Sequence, residues 1–265
     1  MFSSIVLPLD LEESGDRPLL FVRRLASIAS LPIELVTVSS PGLEPSRDEF
    51  ELERRARLLS HLEHRTTMLR SDDAALAIAE HVASRQEALV AMATSARGLL
   101  GAKIIGSVSD AVLASQVAPI LLFGPRCRVH TTQEPPTLLV AIDETEASEA
   151  VLQAAGEWSS TFGGPAPQLI EITDRDGLDD GRELHAARIA GGLDEHWPGV
   201  TAHVLEGRPA EALVNYGHQL DDVVVAMASG RWTDQEHAHL RSTARAVTHR
   251  SRFPVLVVPR VYATV

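Results

Sequence analysis

Asp10 closes the apolar run Ile5-Val6-Leu7-Pro8-Leu9, and Asp143 closes the similar run Leu138-Leu139-Val140-Ala141-Ile142. A carboxylate at the end of a buried strand can accept hydrogen bonds from a ribose hydroxyl or an adenine amine. The same residue can instead cap the turn or helix that follows. Gly106-Ser107 is a second candidate. At a helix start this pair can offer backbone N–H groups, a hydroxyl and the positive helix end to a phosphate, or Ser107 can be a plain N-cap. The loop that leads to it, Ala93-Thr94-Ser95-Ala96-Arg97, follows another apolar run. His237 and His239 stand two apart in a polar segment with no third ligand indicated, the pattern of solvated histidines rather than a metal site. Cys127 lies between Arg126 and Arg128, whose charges can lower a thiol pKa, although a lone linker thiol is ordinarily incidental. Neither a GxxxxGK[ST] phosphate loop nor a Gly-x-Ser-x-Gly nucleophile elbow is present.

These residues need elements to hold them, and the chain supplies the same set twice. Met92-Ala93-Thr94-Ser95 returns as Met227-Ala228-Ser229-Gly230, and Pro119-Ile120-Leu121-Leu122-Phe123 returns as Pro254-Val255-Leu256-Val257-Val258, with offsets of about 133 to 135 residues. A period that long is a domain duplication, since solenoid repeats run roughly 20–50 residues. In the first half the strands are expected at Ile5–Leu9, Ile33–Val38, Thr66–Leu69, Ala88–Ala93 and Ile120–Phe123. Helices are expected at Pro18–Ser30, Asp48–Arg65, Ala74–Ser84 and Val108–Ser115, the third capped from Ser71-Asp72-Asp73. In the second half strands are expected at Leu138–Ile142, Leu169–Ile172, Ala202–Leu205, Val223–Ala226 and Val255–Val258. The helices there are Ser148–Ser160, Gly181–His196, Pro209–Leu220 and Thr243–Arg250. Strands apolar on both faces, alternating with helices, mean two tandem doubly wound α/β domains with parallel sheets. The polar, proline-bearing stretch Arg126–Pro136 divides them, giving domains at 1–128 and 137–265 with a linker at 129–136. In such sheets the ligand crevice lies at the carboxyl ends of the strands where strand order reverses, which selects the ends of the first and fourth strands of each half.

Bulk composition bounds the function. With 45% hydrophobic and 23% charged residues the chain is that of a soluble globular protein, and no apolar run approaches the roughly 20 residues of a membrane span. The net charge of −12 argues against a nucleic-acid partner. One cysteine allows no internal disulfide, and no leader pattern precedes the first strand, so a cytoplasmic location is expected.

On Ile5–Asp10, Met92–Val112, Pro119–Phe123 and their second-half partners, the chain resembles a tandem member of the universal stress protein family. The resemblance implies Rossmann-like domains with five-stranded parallel sheets in the order 3-2-1-4-5. Many members bind ATP through Gly, two residues, Gly, nine residues, then Gly-Ser or Gly-Thr. Counted back from Gly106-Ser107, the leading glycine positions hold Ala93 and Ala96; in the second half they hold Ala228 and Arg231, with Arg241 where Gly106 stands. Pro8, Asp10, Gly106 and Ser107 persist in the first half, and Asp143 and Ser242 in the second. Glycine serves where backbone takes positive φ or touches a phosphate, and alanine in the left-handed region costs about 1–2 kcal/mol.

The resemblance therefore implies an adenine nucleotide, ATP with Mg2+ as a companion ion, held more readily by domain 1 than by domain 2. Asp10 would contact adenine or ribose beside Pro8 and Val38. Ala93, Thr94, Ala96, Arg97, Gly106, Ser107 and Val108 would hold the phosphates, and Asp143 and Ser242 would be the second-half remnants. No general base or nucleophile is placed for catalysis, so the chain is expected to be non-enzymatic or a feeble ATPase. The last strand of each half is an apolar sheet edge. These edges are expected to pair with one another inside the chain, with homodimerisation a further option. The rival reading is a nucleotide-free module that acts through protein partners. A nucleotidyl transferase on a related fold finds no His-x-Gly-His signature here.

Overall fold

The computed structural model describes residues 1–11, 17–42, 46–85, 87–94, 107–115, 118–130, 132–173, 180–229 and 243–259. Its strands are β1 Ser4–Pro8, β2 Ile33–Ser39, β3 His64–Arg70, β4 Ala88–Ala93 and β5 Ile120–Phe123, then β6 Thr137–Ile142, β7 Gln168–Thr173, β8 Thr201–Glu206, β9 Val223–Ala228 and β10 Val255–Val258. Its helices are α1 Arg17–Ala29, α2 Ser46–Ala56, α3 Ala74–Ala83, α4 Ser107–Ser115, α5 Ala147–Phe162, α6 Asp180–Leu193, α7 Pro209–Gly217 and α8 Thr243–Arg250. All ten strands form one sheet in the order β3-β2-β1-β4-β5-β10-β9-β6-β7-β8. Each half is thus a parallel 3-2-1-4-5 unit, the doubly wound α/β fold expected from the sequence.

Burial explains the layering. The middle strands are apolar on both faces because helices cover both. One core, containing Leu19, Phe21, Leu25, Val151, Ala154 and Trp158, lies under α1, α2, α5 and α6. The other, containing Ile78, Val82, Val112, Leu213 and Val247, lies under α3, α4, α7 and α8. The units meet where β5 and β10 pair antiparallel, in the register Val255↔Leu122, Leu256↔Leu121, Val257↔Ile120. Beside that seam the Phe2 N–H donates to Thr161 Oγ1 at 3.0 Å, and the Phe2 ring stands 6.2 Å from that of Phe162. Gly124 ends β5 so close to α8 that a Cβ there would lie 1.9 Å from the Thr248 carbonyl oxygen.

Two local signals hold as read. Asp73 caps α3 by accepting from the Leu76 N–H at 3.0 Å, and Pro209 opens α7. The helix expected over Asp48–Arg65 does not run that far. It stops at Ala56, passes through a short 3-10 turn at Arg57–Leu59, and gives way to β3 from His64. β3 pairs with β2 from Ile33↔His64 to Ser39↔Arg70, and this pairing takes up His64 and Arg65, which a helix running to Arg65 would have left off the sheet. Phe50 of α2 is exposed. Glu34 of β2 anchors this corner: Arg85 and Thr67 donate to its carboxylate, Arg65 pairs with it, and His81 Nε2 lies 3.0 Å away. Burial alone would raise this pKa, but the donors from Arg85, Arg65 and Thr67 and the charge of His81 outweigh it and hold the group at about 2. Among the described residues no helix is long and apolar enough to cross a membrane.

Candidate functional site

Strand order reverses between β1 and β4, so the crevice of the first unit lies where these parallel strands end. Pro8 is the last, buried residue of β1, level with Val36 of β2. The chain then leaves the sheet under control: the Leu9 N–H donates to the Val36 carbonyl at 2.8 Å, and Thr37 Oγ1 donates to the Leu9 carbonyl at 3.2 Å. Asp10 follows at once and is exposed at the carboxyl edge. Val38 continues β2 toward the same edge and is half-buried beside Leu69 of β3.

On the other side of the crevice, β4 ends at the exposed Ala93. The buried Thr94 turns back on β5: its N–H and its Oγ1 both donate to the Phe123 carbonyl, at 3.0 and 3.3 Å. Helix α4 begins at Ser107, with Val108 packed against the core of that face. Its first turn is tied to β4, because the buried Ser109 Oγ donates to the Ala93 carbonyl at 3.3 Å. The positive end of α4 is therefore fixed at the carboxyl end of β4, across the strand pair from Asp10. Pro8, Asp10, Val38, Ala93 and α4 from Ser107 are gathered at one edge of the sheet; Thr94 is there too, with its hydroxyl committed to the β5 carbonyl. Ala96, Arg97 and Gly106 lie outside the described residues.

The second unit repeats the frame and changes the chemistry. Its crevice lies between β6 and β9. Asp143 Oδ1 accepts from the Thr145 N–H at 3.0 Å and from the Thr145 hydroxyl, and Ser148 Oγ lies 3.0 Å away and accepts from the Asp143 N–H at 2.8 Å. That is the turn-and-cap role into α5, not an open acceptor. The Ser229 N–H donates to the Val258 carbonyl at 2.7 Å, matching Thr94 on Phe123, but its buried Oγ has no partner among the described residues. Ala244, at the position equivalent to Ser109, has no hydroxyl to tie α8 to β9. Ser242, Arg231, Arg241, His237 and His239 lie outside the described residues. Among the described residues no cluster of His, Cys, Asp and Glu could hold a metal.

Arg126 and Arg128 do not activate Cys127. A turn closed by the Cys127 N–H on the Gly124 carbonyl at 3.0 Å sends the thiol inward and both arginines outward. Burial pushes the thiol up to about 12, and the charge of Arg17 offsets only part of this. Thr37 and Ser109 hold the two rims of the first crevice and were not singled out from sequence. A hydroxyl in an apolar strand for Thr37, and in the first turn of α4 for Ser109, is their only local signal, and its partner is set by the sheet.

Compared with known proteins, the chain matches the model of the universal stress protein family twice, over residues 1–123 and 136–259. It is 28% identical over 187 residues to a universal stress protein from Mycobacterium tuberculosis, a match covering 66% of this chain. The chain spans 62% of the length of that relative and of its counterpart from Mycobacterium bovis. A universal stress protein from Archaeoglobus fulgidus shares the fold with TM-score 0.66 at 18% identity, covering 98% of this chain and 100% of the other. A protein of unknown function from Pseudomonas aeruginosa PAO1 does so with TM-score 0.70 at 14% identity, covering 97% and 92%.

Proposed function

The chain belongs to the universal stress protein family, and we propose that it is a cytoplasmic, non-catalytic regulator of the stress response that reads adenine nucleotide through its first domain. The observation that carries this reading is the first crevice itself: Asp10 stands at the end of β1, and the start of α4 is tied by Ser109 to the end of β4. A carboxylate and a positive helix end on opposite rims suit the two ends of a nucleotide. Asp10 would accept from ribose or adenine, with Val38 beside the base. The segment from Ala93 to Val108 would carry the phosphates of ATP, and Mg2+ would neutralise them from the solvent side. Among the described residues none is placed as a base or nucleophile, and hydrolysis would be slow or absent.

The second domain would serve the pair rather than the ligand. Its Asp143 carboxylate is engaged by Thr145 and Ser148, which favours a nucleotide-free role there. The two domains would work as an internal pair through their last strands, with homodimerisation a further possibility. Thermal shift of the full chain against ATP and ADP tests the reading: the melting temperature rises with ligand concentration, and Asp10→Asn lowers the apparent affinity about tenfold while Asp143→Asn leaves it unchanged. No shift at about 5 mM nucleotide, roughly the level at which even weak ligands register, would leave the interaction-module reading standing instead.

A further inference from the structure

The sheet has two outer edges, β3 and β8. Interior strands such as β4 and β9 are buried almost throughout, whereas no residue of β8 is buried. The direction of its backbone groups is fixed by one bond: the Gly207 N–H donates to the Thr173 carbonyl of β7 at 2.9 Å. Peptide groups alternate along a strand, so Leu205, His203 and Thr201 face β7 with Gly207. Ala202, Val204 and Glu206 then turn their N–H and C=O groups away from the sheet, and among the described residues nothing bonds to them. The side chains leave the edge equally open. Ala202 and Val204 pack on the core under α6 and Leu205 on the core under α7, each only half-buried. Sheets guard such edges with charge, proline, bulges or a covering element. β3 is guarded, since five of its seven residues, His64, Arg65, Thr66, Thr67 and Arg70, are polar or charged. β8 pairs with β7 without a bulge, holds no proline, lysine or arginine, and carries its one carboxylate, Glu206, at its last position.

We propose that β8 is a self-association edge, on which two copies of this chain pair their β8 strands antiparallel about a twofold axis at Val204. In that register Val204 stands opposite Val204 of the second copy, and Ala202 opposite Glu206 of the second copy. Every outward residue then exchanges both of its hydrogen bonds, and no like charges face each other. The two valines meet on the α6 side as a β-branched cross-strand pair. The chain already closes an edge this way at its centre, where β5 and β10 pair antiparallel and Leu121, Leu122 and Leu256 are fully buried. A twofold contact closes on itself, whereas pairing of β8 with β3 of the next copy would run on as a filament. So short a ladder stands at the small end of specific interfaces, which makes the dimer a weak one. The edge lies at the far end of the sheet from the β5–β10 seam, and the proposal does not rest on nucleotide binding in the β1/β4 crevice.

Sedimentation velocity of the full chain reads the association, with half-dimerisation expected between about 10 and 100 µM. Position 202 tests the register, because the twofold axis sets it against Glu206 twice. At low salt Ala202→Lys is expected to tighten the dimer at least about threefold and Ala202→Glu to weaken it about as much, with Glu206→Lys added to Ala202→Glu restoring it. Both long side chains reach solvent from that position, so a mere loss of packing would move the two variants the same way. Ala202→Pro removes an outward N–H and no bond to β7; it is expected to weaken the dimer at least about tenfold with the far-UV circular dichroism of the monomer unchanged. A chain that stays monomeric up to about 1 mM, well above the expected range, overturns the proposal. So does a dimer that Ala202→Lys and Ala202→Glu shift in the same direction or not at all. Species that grow past the dimer with concentration also overturn it, since a closed pair leaves no β8 edge free.

Discussion

Glu34 gathers donors from two elements and the turn beyond them: Arg65 and Thr67 from β3, His81 from α3 and Arg85 just after it. Its carboxyl sits at about 2 in the folded chain against 4.5 when unperturbed. The unfolded chain therefore binds this proton first on acidification. The stabilisation is complete above pH 4.5 and drains away as pH falls toward 2. Glu34→Gln is expected to lower the urea midpoint at pH 7, and the gap between variant and parent is expected to close across that acidic window. A gap of constant size from pH 7 to pH 3, about the middle of the drop, would mean that the charge of Glu34 is not what holds β2, β3 and α3 together.

At the scale of elements, the close approaches decide what each segment tolerates. A Cβ on Gly124 would meet the Thr248 carbonyl oxygen at 1.9 Å, backbone that cannot swing aside, so β5 and α8 must part. Gly124→Ala is expected to cost about 1–3 kcal/mol or more in denaturant unfolding. Gly191→Ala, in α6 with nothing within 4 Å, is expected to gain about 0.5–1 kcal/mol from helix propensity. Equal effects at the two sites would contradict the packing described. Most of this layer was legible in the sequence, because strands such as Leu138–Ile142 and Val223–Ala226 are apolar on both faces and helix starts carry Asp73 or Pro209. The end of α2 was not, since the Glu/Arg-rich run reads as helix up to Arg65, whereas β2 already claims His64 and Arg65 by pairing. The site was half legible. Asp10 and the α4 start follow from strand order, whereas the ties of Thr37, Thr94 and Ser109 join residues that only the sheet brings together. At Cys127, charge next to it in sequence says nothing of which way a turn points the thiol.

For the whole molecule, the seam is the quantity to measure. Trp158, Trp197 and Trp232, with Tyr216 and Tyr262, all belong to the second half, so intrinsic fluorescence follows that half alone while far-UV circular dichroism follows both. The β5–β10 ladder, the shared core under α1 and α5, and the Arg24–Asp222 pair across the halves predict coincident urea transitions by the two probes. Asp222→Ala, which strips the buried Arg24 of its carboxylate, is expected to lower the common midpoint, with a loss of up to about 3 kcal/mol in unfolding free energy. Two separated transitions in the parent would mean that the halves stand independently. The antiparallel seam has one more consequence. Every strand of the first half points one way along the sheet and every strand of the second half points the other, so the β1/β4 and β6/β9 openings look out from opposite walls of the protein. No single small molecule can span them, and a partner docked over one leaves the other uncovered. Whatever news passes between the two doors has to travel through the masonry.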